Sequence, residues 1–333
     1  MESFNKEFTY LITGAAGFIG YHLSKRLLEA GAKVIGYDNM NDYYDVSLKE
    51  HRLDGLTVYD RFEFVKGDLA DKEALENVFK EYNPDVVVNL AAQAGVRYSI
   101  ENPDAYIQSN LVGFANILEC CRHYPVEHLL YASSSSVYGG NEKIPFSTDD
   151  PVDRPVSLYA ATKKSNELMA YSYSKLYGMK TTGLRFFTVY GPLGRPDMAA
   201  YKFALKIMKD EPIQIYNHGN MERDFTYVDD IVTGIYNILC NPPMPDSLGA
   251  CYKVYNIGNH SPVKLMEFVS ILEEKLGKEA KKEFLPMQPG DVLRTYADVS
   301  ELMKDFDFKP DTSLEKGLGE FADWFLKYYG YKS

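Results

Sequence analysis

Nowhere in this chain does an uninterrupted apolar run approach the ~20 residues that cross a bilayer, and no basic-then-apolar segment opens it. A membrane span is excluded on that pattern, and a cytoplasmic location is expected. Cysteine is scarce: Cys120, Cys121, Cys240 and Cys251 stand in no C-x-x-C or Cys/His metal spacing. Neither a metal site nor a redox dithiol is expected from them, and the adjacent first pair reads as buried thiols on a helix. Positive charge is in deficit, with 36 Lys and Arg against 47 Asp and Glu and a formal net charge of −11. Nucleic acid and anionic membranes are therefore poor partners, although a local cluster of arginines can still hold a small anion. Internal repeats and low-complexity tracts are missing as well. What remains is 333 residues, 45% of them hydrophobic, enough for an ordinary soluble core and a second lobe.

The most informative stretch is F-T-Y-L-I-T-G-A-A-G-F-I-G at 8–20, an apolar strand running into three glycines and then a helix. Gly14, Gly17 and Gly20 occupy a G-x-x-G-x-x-G spacing in which absent Cβ atoms allow a tight turn and close backbone approach to a pyrophosphate. The helix that follows, over about 18–30, would aim its N-terminal N–H groups and positive dipole end at that anion. A second strand, 33–38, ends in Asp38, 18 positions after Gly20. A carboxylate there can accept hydrogen bonds from both adenosine ribose hydroxyls and would repel a 2′-phosphate. The cofactor is expected to be NAD rather than NADP.

Strand-like runs recur at 8–13, 33–38, 62–66, 85–89, 128–133 and 180–187, separated by segments of helical length. This alternation predicts an α/β fold: a Rossmann-type doubly wound parallel sheet with helices on both faces and ligands at the carboxyl ends of the strands. Those ends carry small or polar residues: Gly67-Asp68-Leu69, Ala91-Ala92-Gln93 and the serines 133–136. Beyond about Thr188 the chain is punctuated by Pro and Gly, as in 191–196, 241–245 and 286–290. The expected division is a cofactor-binding domain over 1–188 and a smaller C-terminal α/β substrate lobe over 189–333. Segments around 223–257, a helix at 228–239 and a strand at 252–257, are apolar enough to return to the first domain.

Tyr159 and Lys163 fall four residues apart at the start of an expected helix over 159–177, so their side chains share one face. A nearby ammonium stabilises a phenolate and lowers a tyrosine pKa from its usual ~10, which makes such a pair an acid/base near neutrality. The pattern alone decides little, because it also occurs at Tyr21/Lys25, Tyr171/Lys175 and Tyr328/Lys332. Position separates them. Tyr21 lies in the helix that opens on the pyrophosphate, Tyr171 sits ~18 Å further along the same helix as Tyr159, and Gly330 interrupts the last pair. Only Tyr159 follows a serine-bearing strand end at a distance that lets Ser, Tyr and Lys converge beside a nicotinamide.

With these elements in hand the chain resembles the extended short-chain dehydrogenase/reductases, and within them the NAD-dependent epimerases and dehydratases of nucleotide sugars. The resemblance is carried by T-G-A-A-G-F-I-G (13–20), Asp38-Asn39, Gly67-Asp68-Leu69, N-L-A-A-Q (89–93), S-S-S-S-V-Y-G (133–139), Tyr159/Lys163, L-R-F-F-T-V-Y-G-P (184–192), R-D-F-T-Y-V-D-D (223–230) and P-G-D-V-L-R (289–294). It implies pyrophosphate contacts at Gly14, Gly17, Phe18 and Ile19, and ribose contacts at Asp38 and Asn39. Asp68 and Leu69 would meet the adenine, and Ala91, Ala92 and Gln93 would line the cofactor together with Tyr159 and Lys163. Ser134, found by counting back from Val137-Tyr138-Gly139, would hydrogen-bond the reacting sugar oxygen. Asp291, Arg223 and Arg294 would hold the nucleotide ribose and the diphosphate of a UDP-sugar. The resemblance further implies a homodimer through helices near 103–121 and 157–177, and no catalytic metal.

Two positions bear on the reaction. Where the family's dehydratases carry Asp-Glu, and its uronate decarboxylases a glutamate at the second site, this chain has Ser135-Ser136. No acid is left for elimination, which points to simple 4-epimerisation: oxidation at C4, rotation of the 4-keto sugar and reduction on its other face. Thr188, G-R-P-D-M (194–198), N-M-N-D-Y-Y-D (39–45) and Q-A-G-V-R-Y (93–98) resemble the UDP-glucuronate 4-epimerases. A hexuronate carboxylate could be met by Arg195 and by the hydroxyls of Ser135, Ser136 and Thr188. Epimerisation of neutral UDP-hexoses or UDP-N-acetylhexosamines, decarboxylation of UDP-glucuronate, and a non-catalytic NAD-binding regulator on the same fold remain the alternatives.

Overall fold

The computed structural model describes residues 4–288 and 292–331. The first half alternates strands and helices: β1 (Thr9–Thr13), α1 (Phe18–Glu29), β2 (Lys33–Asp38), α2 (Val46–Thr57), β3 (Phe62–Lys66), α3 (Lys72–Tyr82) and β4 (Val86–Asn89). Three short helical pieces follow, α4 (Tyr98–Glu101), α5 (Pro103–Tyr106) and a π-helical turn over Ile107–Val112, which runs into α6 (Gly113–His123). Next come β5 (His128–Ser134), a 3₁₀ turn over Ser135–Tyr138, α7 (Leu158–Tyr177) and β6 (Thr181–Phe186). The remainder comprises β7 (Thr188–Tyr190), α8 (Ala199–Met208), β8 (Ile213–Ile215), β9 (Glu222–Tyr227), α9 (Val228–Leu239), β10 (Tyr252–Ile257), β11 (Pro262–Lys264), α10 (Leu265–Leu276), β12 (Lys282–Phe284), α11 (Ser300–Phe306) and α12 (Leu314–Tyr329).

Seven strands form one sheet in the order β10-β6-β5-β4-β1-β2-β3. β1 pairs in parallel with both β2 and β4, so the winding reverses at the carboxyl ends of β1 and β4. This is the crevice where doubly wound sheets take their ligands. Near-continuous apolar strands, V-V-V-N in β4 for one, require cover on both faces. On one face Leu11, Ile35, Val87 and Leu129, one from each of four neighbouring strands, pack against Leu75 and Phe79 of α3 and Phe114 and Ile117 of α6. Cys120 and Cys121 lie buried in the same layer, as the sequence predicts. The helices end where local chemistry says they should. Ser157 caps α7 by accepting from the Ala160 N–H at 3.1 Å, and Gly178 closes it in the left-handed region at φ +69°.

The chain forms two compact units. One holds the chain up to Gly139 together with Pro151–Arg185 and Val232–Tyr255; the other holds Gly140–Asp150, Phe186–Ile231 and the described residues from Asn256 onward. Two longer segments, and a few residues at the boundaries, therefore fall differently from the expected division. Residues 140–150 leave the first unit because Phe146 is bound on both backbone sides, its N–H to the Tyr296 carbonyl and its carbonyl to the Asp298 N–H. Residues 223–231 stay with the second unit because β9 pairs with β7 and β11 there. In that unit the fully buried Asp224 carboxylate accepts from the backbone N–H groups of Asn259 (2.7 Å), His260 (3.1 Å) and Ala297 (2.9 Å). It fastens two loops to β9.

His128 at the start of β5 gives the first unit a pH-sensitive contact. Its ring lies buried between the Leu239 carbonyl (Nδ1, 3.3 Å) and the Thr182 hydroxyl (Nε2, 2.8 Å), and burial pushes its pKa down to about 4. Between pH 6.5 and 4 the unfolded chain thus binds a proton that the folded chain refuses, so stability falls with falling pH in that window. At 1.36 kcal/mol per pKa unit the effect is roughly 3 kcal/mol. Urea midpoints measured from pH 7 to pH 4 should fall more steeply for the natural chain than for His128→Asn. Parallel curves would remove this histidine as the cause.

No helix among the described residues is long and apolar enough to cross a membrane.

Candidate active site

The glycine turn is built as the spacing predicts. Gly14 adopts φ +71°, donates its N–H to the Tyr37 carbonyl at 2.7 Å, and comes so close to β4 that a Cβ would lie 2.8 Å from Ala91 N. A Cβ on Gly20 would drive into the Gly14 carbonyl, so this glycine serves the close packing of helix on turn. Thr13 ties the two strand ends together, its hydroxyl donating to Asn89 Oδ1 (2.7 Å) and accepting from Ala91 N (3.1 Å). α1 then begins at Phe18 with Gly17 as its cap, without a side-chain acceptor and without an acidic residue in its first turn. The Gly17 N–H closes the turn onto the Gly14 carbonyl at 2.8 Å, and the helix N–H donors without a side-chain cap fit a dinucleotide pyrophosphate, which would be held by Phe18 and Ile19.

Asp38 ends β2 and is 7% exposed. Its Oδ1 accepts from Met40 N at 2.8 Å and lies 3.5 Å from the ammonium of Lys49 in α2. Asn39 reaches Asp68 Oδ2 at 2.8 Å, and Asp68 Oδ1 accepts from Ala70 N, so the loops after β2 and β3 close on each other. Leu69 is buried and its carbonyl is held by Asn116 at 2.8 Å. Gln93 after β4 is fixed from behind. Asn110, in the π-helical turn, accepts from Gln93 N (2.8 Å) and donates to Gln93 O (3.0 Å) and Thr162 Oγ1 (3.1 Å).

The serines at 133–136, at the end of β5 and the start of the 3₁₀ turn, divide their labour. Ser133 is buried and donates to Glu167 at 2.7 Å. Ser134 caps the 3₁₀ turn and its Oγ receives both the Ser136 N–H (3.1 Å) and the Ser136 hydroxyl (2.9 Å), which leaves its own proton to donate. Tyr159 stands in the first turn of α7, half-buried, edge-on to the Tyr106 ring with centroids 6.0 Å apart. Lys163 is 4% exposed; its ammonium lies 6.0 Å from the Tyr159 ring centroid and donates to the Ala132 carbonyl at 2.8 Å. Burial alone brings the Lys163 pKa down to about 8. Ser134, Tyr159 and Lys163 all belong to the first unit, on β5 and α7, which pack together.

Sequence reasoning did not single out what clamps them. Arg185 in β6 meets Glu167 of α7 through two hydrogen bonds, Nε to Oε1 at 2.8 Å and Nη2 to Oε2 at 2.9 Å, and donates to the Tyr138 hydroxyl at 3.0 Å. Arg185 and Glu167 are 3% and 2% exposed. Their partners hold Glu167 ionised, its pKa lowered despite burial. A signal was present: Glu167 lies four residues after Lys163 on the same buried face, and Arg185 is a lone charge in an apolar strand.

In the second unit Thr188 and Arg195 line one small cavity with Tyr190, Met198, Tyr201 and Phe225. The Arg195 guanidinium is met by Asp197, Nε to Oδ1 at 3.0 Å and Nη2 to Oδ2 at 2.5 Å, a pairing the sequence reading did not foresee. Arg223 and Arg294 come together at Glu222: Arg223 donates to the Glu222 carbonyl (2.9 Å), and Arg294 Nε meets the Glu222 carboxylate at 2.6 Å. Asp291 lies outside the described residues.

A doubly wound sheet with this turn, acidic strand end and Ser/Tyr/Lys set defines a cofactor-dependent enzyme of short-chain dehydrogenase type. The profile of the NAD dependent epimerase/dehydratase family matches residues 10–258, and the chain belongs to that family. Protein CapI of Staphylococcus aureus is 60% identical over 96% of this chain and 98% of its own length. A probable UDP-glucuronate 4-epimerase of Rhizobium meliloti is 48% identical, over 96% of this chain and 97% of its own. Among solved structures, the UDP-glucuronic acid 4-epimerase of Bacillus cereus, in complex with UDP-glucuronic acid and NAD, superposes with a TM-score of 0.88. It is 34% identical, and the match covers 96% of this chain and 100% of that one.

Proposed function

We propose that this chain is an NAD-dependent UDP-glucuronate 4-epimerase, interconverting UDP-glucuronate and UDP-galacturonate through a transient 4-keto sugar. The observation that carries the reading is the Ser134/Tyr159/Lys163 set on β5 and α7, with hydroxyls rather than acids at Ser135 and Ser136. NAD supplies the acceptor and donor of the C4 hydride. Tyr159 takes the proton of the sugar 4-hydroxyl and gives it back, as a positioned general base and acid. Ser134, its oxygen already satisfied by Ser136, donates to the reacting sugar oxygen. The Lys163 ammonium, pinned by Ala132 O, supplies positive charge at the tyrosine.

In this reading Arg223, Arg294 and Asp291 hold the UDP portion, and Thr188 and Arg195 meet the uronate carboxylate. The protein acts as a homodimer through α6 and α7. Exposed apolar side chains there, Val112 just before α6 and Leu168 and Leu176 on α7, are 38%, 58% and 70% accessible and support that packing.

A neutral-sugar 4-epimerase is the second reading, and the Arg195–Asp197 pair is the observation that favours it. Because Asp197 shares the guanidinium, a sugar carboxylate would gain a charge-assisted hydrogen bond of about 1.5 kcal/mol, at the low end of the usual range. Arg195→Ala should then cost UDP-glucuronate roughly tenfold in kcat/KM and leave UDP-glucose nearly unchanged. Parallel losses on both substrates would return Arg195 to holding its own loop.

A further inference from the structure

We propose that Lys49 sets the cofactor preference: it forms a 2′-phosphate site that Asp38 occupies, so the protein takes NAD because its own carboxylate fills a basic socket. The inference rests on Asp38 as the ribose ligand and NAD as the cofactor. The sequence alone suggests a simpler cause, a bare anion repelling phosphate. The structure places two buried cations on the inward face of α2, one turn apart, Lys49 at 5% and Arg52 at 0% exposure. Burying such charges costs several kcal/mol unless they are partnered. Arg52 donates to the Ala16 carbonyl inside the glycine turn at 3.0 Å and to the Tyr44 hydroxyl at 2.7 Å. Lys49 reaches Asp38 Oδ1 at 3.5 Å and Asn41 Oδ1 at 3.2 Å.

The Lys49–Asp38 separation exceeds the 2.7–2.9 Å of a close charge-assisted bond, so the ammonium stands within reach of the carboxylate without being saturated by it. With Met40 N also on Oδ1, Oδ2 is the oxygen left for ribose hydroxyls. Asp42 also acts on Lys49 from a distance, and Asp68 is turned to Asn39 and to Ala70 N. Asp38 is therefore paired with Lys49, with Arg52 one turn further along α2. Exclusion comes from occupancy. Removing the carboxylate opens its volume and leaves Lys49 a buried cation in want of an anion, which an adenosine 2′-phosphate supplies.

The test is nucleotide retention. Natural protein, Asp38→Ser, Lys49→Met and the double variant are equilibrated with equal excesses of NAD and NADP and desalted, and the nucleotide released on denaturation is quantified by ion-exchange chromatography. The natural protein should retain NAD. Asp38→Ser should shift the NADP-to-NAD ratio by roughly 10- to 150-fold toward NADP, the range for one charge-assisted contact. Lys49→Met in that background should abolish the shift, and Lys49→Met alone should weaken NAD retention. Asp38→Ala, which likewise empties the place of the carboxylate, serves in place of serine should that variant fail to fold. If neither single substitution of Asp38 raises NADP retention, or if the shift persists without Lys49, the inference is overturned. A natural protein that retains neither nucleotide would instead strike the NAD reading beneath it.

Discussion

Tyr159→Phe is expected to lower turnover of UDP-glucuronate by roughly 10²- to 10⁴-fold, the usual contribution of a positioned proton-transfer group. The ring stays, and with it the edge-on contact to Tyr106, so thermal stability should be little affected. Tyr171→Phe is the internal control. Tyr171 has its own lysine four residues on, yet its ring packs on Tyr252 at 5.3 Å and Lys175 turns to the Leu248 carbonyl. Equal losses in the two variants would mean that the wrong pair had been chosen.

The second large effect is expected from the clamp behind the serines. Glu167→Ala strips Arg185 of its bidentate partner and leaves a guanidinium buried without its counter-charge, a change that costs about 3–5 kcal/mol. It also removes the acceptor of Ser133, so activity should fall along with stability. Replacing both residues, Glu167→Leu with Arg185→Met, should recover much of the stability, because a well-packed apolar pair substitutes for a buried ion pair at little cost. Additive losses in urea unfolding, with the double variant as weak as the sum of the singles, would contradict the pairing.

Much of the first unit could be read from the chain because its determinants are local. The strand that enters three glycines, the acidic end of β2 and the Tyr159/Lys163 spacing on a capped helix each lie within one element, and the structure places them as expected. Counting back to Ser134 separates it from Ser133, which the structure turns inward to Glu167. What escaped notice depends on partners brought together by the fold. Glu167 and Arg185 meet from different elements, and Lys49 of α2 reaches the Asp38 carboxylate at the end of β2. The Arg195–Asp197 pairing spans only two residues but depends on the loop's conformation, which composition does not specify. Residues 140–150 could not be assigned from texture, because their allegiance comes from single backbone bonds to Tyr296 and Asp298.

The central claim is that the C4 hydrogen leaves and returns on one bound nucleotide within a single turnover. The most direct measurement incubates the purified protein, with no nucleotide added, with UDP-glucuronate deuterated at C4, and follows the sugar by NMR. The account predicts UDP-galacturonate with the deuterium retained at C4 and UDP-glucuronate remaining at equilibrium with it. Loss of the deuterium to solvent, accumulation of a UDP-pentose, or an unchanged substrate would contradict it.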